Sequence, residues 1–500
     1  MTTSPSEVGR ATADDERGRP FGVAVVGAGP AGMSAAAAAA DAGARVVLID
    51  AGGALGGQYW RHPADRALAA AVAPQHHGLR RYRRLARSIA EHERSGRLVL
   101  LARHEVWTLG SRPTGNSRFV VRALDRSTGQ PRERVVAART LVLAPGAYDR
   151  QVPFPGWTLP GVMTAGGVQA LLKGSATVGG QRILVAGTGP FLLPVAAGLV
   201  SAGGTVVGVH EASGASGWAR HPAAVARNLT KLAEGVGYAA TLARHRVPYR
   251  LRSTVLEAHG DDRVEEVTVA RLEARGAVRP GTEQRVAVDA LAVGWGFTPQ
   301  LELPLALGCG TRVDTDGSLV VVTDDDQRTS VEGVYVAGEA CGVGGAALAE
   351  VEGRVAGHAA ARALGQLTGP SPGSVARDRR RRRALRSFAG ALHRTYPVPA
   401  GWMDRVTDDV TVCRCEEVAV GRLREVVDGL GAHDPRSAKL MARVGMGWCQ
   451  GRVCGYAATC LVARWTGVEP DPTQLATRPV AAPVPLRTLV DGSLDPPGTM

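Results

Sequence analysis

The stretch from Phe21 to Asp50 constrains this chain more than any other. An apolar run, Val23-Ala24-Val25-Val26, feeds Gly27-Ala28-Gly29-Pro30-Ala31-Gly32; an alanine-rich stretch follows, and a second apolar run, Val46 to Ile49, ends on Asp50. That order predicts a strand, a glycine turn, a helix and a parallel strand. Gly27 permits the tight turn, Gly29 lets the backbone approach a pyrophosphate, and Gly32 lets the helix pack close to the strand. The helix N-terminus adds a positive dipole facing the phosphates. Asp50, 23 residues after Gly27, is placed to accept the ribose hydroxyls of an adenosine.

After Asp50 comes Gly52-Gly53-Ala54-Leu55-Gly56-Gly57-Gln58-Tyr59-Trp60-Arg61. Small residues such as Gly57 let backbone lie against a flat ligand, and Gln58 and Arg61 are expected to reach the polar edges of its rings. Residues 66–95 read as helical and 97–144 as short strands. A second unit follows: strand Arg182 to Ala186, turn Gly187-Thr188-Gly189-Pro190-Phe191-Leu192, and strand Thr205 to Val209 ending at His210-Glu211. Leu192 stands where the third glycine belongs, which should widen the helix–strand gap and displace a pyrophosphate. Glu211 suits a ribose without a 2′-phosphate and so favours NAD over NADP. Two readings stay open: NAD or another adenine nucleotide bound at Gly187, Gly189 and Glu211, or a domain that keeps the fold and binds nothing.

Residues 366–378 have a linker composition, and the run Arg379 to Arg383 reads as the solvated face of a helix. Beyond it, Cys413-Arg414-Cys415 is followed after 33 residues by Cys449-Gln450-Gly451-Arg452-Val453-Cys454. Two such pairs can converge on one centre, and Gly445, Gly447, Gly451 and Gly455 leave amides free to approach the sulfurs. Both an iron–sulfur cluster and structural zinc fit this donor set, with the upstream nucleotide fingerprint favouring the cluster. Cys309, Cys341 and Cys460 read as core residues.

The turn Thr140 to Ala147 resembles the point at which flavoproteins with two dinucleotide-binding domains cross between them, and this resemblance implies a cofactor role for Gly146. The segment Thr329 to Gly342 resembles the second FAD fingerprint of that class, with Gly338 and Glu339 in place of Gly-Asp beside the ribityl chain and pyrophosphate. The cysteines resemble the bacterioferritin-associated-ferredoxin-like [2Fe–2S] module, with four residues instead of two inside the later pair. Taken in order, the motifs resemble the α-type flavoprotein subunit of opine oxidase, D-hydroxyproline dehydrogenase and hydrogen cyanide synthase, over roughly 21–490.

What the resemblance implies is an α/β fold with two Rossmann-like domains of glutathione-reductase type, the second inserted in the first, plus a small α-helical [2Fe–2S] domain. The expected division is a disordered 1–20, an FAD-binding domain over 21–150 and 286–365, and a second dinucleotide-binding domain over 151–285. A linker with the arginine run over 366–405, the [2Fe–2S] domain over 406–466 and a proline-rich tail over 467–500 complete it. It further implies FAD, a [2Fe–2S] cluster and an electron relay serving a separate amino-acid-oxidase-like flavoprotein subunit. That subunit oxidises a small amine or amino acid of opine, hydroxyproline or glycine type. No substrate base or nucleophile is identifiable, so catalytic residues stay unassigned. Competing expectations are a self-sufficient NAD(P)H-dependent FAD/[2Fe–2S] reductase and a non-catalytic, nucleotide-binding assembly subunit.

Composition narrows the partners. The formal charge is +13, yet only Lys173, Lys231 and Lys439 among 59 basic residues are lysines. The arginines are scattered among acids, which argues against a nucleic-acid surface. No apolar run approaches the ~20 residues of a spanning helix, and the first 20 residues lack a secretory apolar region. All seven cysteines follow position 300. The expectation is a cytoplasmic protein without a transmembrane segment.

Overall fold

The computed structural model describes residues 19–491 except 115–116, 275, 367–370, 477 and 479. Most of the N-terminal stretch expected to be disordered therefore lies outside the described residues. Among those described, no helix is long and apolar enough to cross a membrane.

The first apolar runs become buried parallel strands, as continuous Val/Ile/Leu segments should. Phe21–Val26 pairs with Val46–Asp50 on one side and Arg132–Leu143 on the other. The sheet runs Leu98–Ala102, Val46–Asp50, Phe21–Val26, Arg132–Leu143, Ser117–Asp125 and His104–Thr114, with Val334–Val336 joining Arg132–Leu143 in parallel. The late segment thus enters the same sheet as the first glycine turn. Helix Pro30–Asp41 is alanine-rich because another helix, Ala346–Ala363, lies directly on it. A Cβ at Gly353 would sit 2.0 Å from the Ala31 carbonyl oxygen, and one at Gly357 would sit 2.2 Å from that of Ala35.

The chain crosses to a second sheet through Ala147–Asp149 and returns through Phe297–Pro299, and these two strands pair antiparallel. The second sheet is fully parallel, ordered Tyr249–Leu251, Thr205–Glu211, Arg182–Gly187, Ala290–Gly294 and Val162–Thr164. An antiparallel layer, Ser253–His259, Glu266–Arg271 and Gln284–Ala287, stands beside it.

Residues 372–395, expected within a linker, form a 24-residue helix started by Ser371, whose hydroxyl accepts from the Ser374 amide, with Pro372 in the first turn. The arginine run on it is not merely solvated. Arg379 pairs with Asp326 at 2.5 Å and Arg382 with Asp325 at 2.9 Å, and Arg386, just beyond the run, pairs with Glu352 at 2.5 Å. Glycine and proline at its start gave a linker-like composition, but acids at 325, 326 and 352 hold it to the body.

The cysteine-bearing region comprises helices Val420–Asp428, Pro435–Ala442 and Gly455–Thr466 with a two-stranded ribbon, Thr411–Cys413 and Val418–Ala419. Its apolar residues form one cluster with those of the second domain, and Trp157 donates its indole N–H to the Thr411 carbonyl at 2.7 Å. The proline-rich tail docks on the body. The Ala481 amide donates to the Trp107 carbonyl, Ala482 packs with Trp107 and Leu124, and Leu486–Asp491 is helical.

Candidate functional site

At the first glycine turn each small residue has a measurable reason. A Cβ on Gly32 would fall 1.6 Å from the Gly27 carbonyl oxygen, and one on Gly27, whose φ is +98°, would fall 2.2 Å from that of Ala144. Both positions exclude side chains. Gly29 is different: no atom lies within 4 Å of its would-be Cβ. Gly29 begins helix Pro30–Asp41 with no side-chain cap and no acid in the first turn. Space thus remains open beside the uncapped N-terminus of this helix, the position where a phosphate is stabilised.

Asp50 closes this turn. One carboxylate oxygen accepts from the Ala28 amide at 2.5 Å and the other from the Gly52 amide at 2.6 Å. Burial pushes its pKa up, opposed by those two amides and by the Arg61 guanidinium. The following loop folds back on the turn, with the Gly56 amide on the Ala28 carbonyl and a Cβ on Gly57 only 2.8 Å from the Gly29 Cα. Gln58 and Arg61, expected to face a ligand, bond to each other: the Arg61 Nε donates to the Gln58 Oε1 at 3.0 Å. Gln58 remains exposed.

The second fingerprint is brought to the first. A Cβ on Gly338 would stand 3.0 Å from the Ala31 Cβ, so the late turn lies against the first turn of the leading helix. Glu339 accepts from the Gly344 and Gly345 amides at 2.9 and 3.0 Å, and burial raises its pKa. Its carboxylate thereby shapes the loop that precedes helix Ala346–Ala363, whose N-terminus carries no side-chain cap. Gly146, at φ +85°, accepts from the Gln300 amide where the two domain crossovers meet.

The second unit repeats the topology with other contents. Glu211 is fully buried and accepts from the Gly189 and Ser213 amides, each at 2.8 Å, and from the Thr188 hydroxyl at 3.2 Å. Burial pushes its pKa up to about 7 against those hydrogen bonds. Gly187 and Gly189 are buried, and Tyr396 lies 3.9 Å from a Cβ built on Gly189. Leu192, expected to widen the helix–strand gap, packs against the neighbouring strand. It is fully buried, and the strand opposite makes room with Gly294, whose would-be Cβ would lie 3.0 Å from the Leu192 Cδ2. The helix consequently starts at Leu192, whereas in the first unit it starts at Pro30.

The four C-terminal cysteines come together as two pairs. All four are free thiols, with Cys413 hydrogen-bonded to Cys454 and Cys415 to Cys449. Among the described residues no three metal-ligating side chains already stand in metal-binding arrangement. The surroundings nevertheless suit an iron–sulfur centre. Amides of Gly445, Glu416 and Cys415 point at the Cys413 sulfur, and a Cβ on Gly447 would fall 2.2 Å from the Cys415 Cβ. Glycine is thus required for loops to close on the sulfurs, and amide–sulfur hydrogen bonds stabilise negative charge there.

Other residues support these sites without having stood out in the sequence. Trp60 is buried against Tyr59 and Tyr82 and donates to the His77 carbonyl, anchoring the Gly56–Arg61 loop. Buried Lys173 donates to the Tyr59 carbonyl at 3.1 Å, and burial lowers its pKa to about 8. Its rarity in an arginine-rich chain was the available signal. Trp448, beside Cys449, is 80% exposed.

Known proteins align with this geometry. The pyridine nucleotide-disulphide oxidoreductase family profile matches residues 21–365. Hydrogen cyanide synthase subunit HcnB of Pseudomonas protegens is 33% identical over 441 residues, covering 87% of this chain and 90% of that one. An opine oxidase subunit of Agrobacterium tumefaciens is 33% identical over 469 residues, covering 90% and 87%. Among solved structures, L-proline dehydrogenase from P. horikoshii superposes with a TM-score of 0.66 at 19% identity, covering 94% of this chain and 79% of that one, a likeness of fold.

Proposed function

Since the chain belongs to the pyridine nucleotide-disulphide oxidoreductase flavoproteins, in the group that holds these opine oxidase and hydrogen cyanide synthase subunits, we propose that it is the FAD-dependent electron-relay subunit of an amine or amino-acid dehydrogenase complex. Bound FAD accepts two electrons and releases them singly, and a [2Fe–2S] cluster carries one at a time.

In this reading Gly27, Gly29, Gly32 and Asp50 hold the adenosine and pyrophosphate. Gly57, Gln58, Arg61, Gly146, Gly338 and Glu339 border the flavin end, and Cys413, Cys415, Cys449 and Cys454 hold the cluster. The observation that carries it is the pairing, in one chain, of an open glycine turn with an amide-lined cysteine centre. Substrate oxidation belongs to a separate amino-acid-oxidase-like subunit, because hydride removal next to nitrogen needs a positioned substrate clamp, and this chain has no identified one. The nicotinamide-dependent reductase is disfavoured by the buried, internally bonded Glu211.

The test is co-expression with an amino-acid-oxidase-like subunit, assayed by dye reduction with proline, hydroxyproline, opines and glycine. The complex should reduce dye with one of these while neither chain does so alone. Equal turnover by the isolated chain would refute the relay assignment.

A further inference from the structure

Glu302 belongs to neither glycine turn, yet it is buried. It opens a short helix, Glu302–Ala306, just after the return strand Phe297–Pro299 of the flavin-binding domain. A buried carboxylate persists only when paired. Two guanidiniums from more than a hundred residues onward meet its Oε1: Arg452 Nε at 3.0 Å and Arg478 Nη1 at 3.2 Å.

Both arginines spend their remaining donors on the later cysteine loop and the chain beside it. Arg452, lying between Cys449 and Cys454, donates Nη1 to the Cys449 carbonyl at 3.2 Å and Nη2 to the Ala481 carbonyl. Arg478 donates Nε to the Gln450 carbonyl at 2.7 Å and Nη1 to the Ala476 carbonyl at 3.2 Å. Tyr148, on the outgoing strand that pairs with Phe297–Pro299, lies within electrostatic reach of Glu302, both arginines and Cys449. One carboxylate therefore fastens the cysteine loop and the C-terminal segment to the domain crossover.

We infer that Glu302 is a positioning residue for the cysteine centre: through Arg452 and Arg478 it holds the Cys449–Cys454 loop against the flavin-binding domain and sets the net charge beside the centre. This rests on the reading of the four cysteines as [2Fe–2S] ligands. Reduction adds negative charge to such a centre, so its potential rises with positive charge nearby and falls with its removal.

The experiment uses the full chain purified anaerobically, assayed for flavin, iron and acid-labile sulfide, and then titrated reductively with the cluster followed by electron paramagnetic resonance. Glu302→Gln leaves two guanidiniums without their counter-charge and should raise the midpoint potential and lower iron retention, with flavin content kept. Arg478→Gln should shift the potential the opposite way. Glu302→Asp, which keeps the charge, should return it towards wild type. A merely structural role would not move the potential in opposite directions, and Arg478→Gln carries the test if Glu302→Gln does not fold. Wild-type potential and iron content in both charge variants would overturn the inference while leaving the cluster assignment standing. Wild-type protein without iron and sulfide would instead refute the cluster assignment itself.

Discussion

The two glycine turns occupy equivalent places in their sheets, yet they solve the same packing problem in opposite ways. In the first, the glycine is on the helix: Gly32 lies over the Gly27 carbonyl, and the neighbouring strand end carries Ala144. In the second, the helix carries Leu192 and the neighbouring strand end carries the glycine, Gly294. In the second unit the leucine on the helix stands opposite a glycine on the strand, the helix starts later in the motif, and the turn is covered. Gly29 faces open space, whereas Gly189 is buried below Tyr396. Asp50 keeps partial exposure while Glu211 is sealed among protein donors. Equivalent topology thus leaves the two turns with different access, and access is what a nucleotide site needs.

The largest effect expected from breaking this contrast is at Gly32. Gly32→Leu places atoms inside the Gly27 carbonyl and should abolish flavin retention, read as loss of the flavin absorbance in purified protein. The mirror change, Leu192→Gly, should leave flavin content intact and confer no affinity for NADH by calorimetry. It should lower stability by about 2–5 kcal/mol through the cavity it leaves, measured by denaturant unfolding.

Next is Arg386. It reaches buried Glu352, whose other oxygen accepts from the Gly338 amide at 3.1 Å, behind the first unit's late turn. Arg386→Met leaves that carboxylate only Arg382, at 3.7 Å, and should cost about 3 kcal/mol with weakened flavin retention.

An effect of similar size is expected from pH. The Glu211 pKa is raised from its ordinary value to about 7, so the folded state binds a proton the unfolded state releases. The associated stability is complete below the ordinary carboxylate range and is lost as pH rises through about 7, on the order of 3 kcal/mol. Thermal midpoints should therefore fall between pH 5 and pH 8, and Glu211→Gln should flatten that slope. Asp50 is shifted in the same direction, so the difference between wild type and variant isolates the second unit.

The smallest effect belongs to Arg383, which pairs with Asp325 on the surface of the arginine helix and is 64% exposed. Arg383→Gln should change stability by under about 1 kcal/mol and leave both turns as they are.

Much of this was legible in the sequence because it depends on backbone access. Gly27, Gly29, Gly32 and Asp50 announce their roles through spacing, and the structure gives each glycine a reason. The cysteine pairs were legible for the same reason. Leu192 was read locally as a gap in the motif, since its compensation by Gly294 comes from a strand about a hundred residues later. Likewise the helix over 372–395 was legible at the arginine run, but its start at 372 was hidden by linker-like composition and its attachment to the body by acids distant in sequence. Glu302, Arg452 and Arg478 form one charged group from three segments around a buried carboxylate, and no periodicity signals such a meeting.

The most direct test of the contrast between an open flavin turn and a sealed second turn is anaerobic mixing of the purified, flavin-loaded chain with excess NADH or NADPH while flavin absorbance is followed. The flavin should remain oxidised over minutes, and the same sample should bleach on chemical reduction. Rapid bleaching by either nicotinamide would contradict the account.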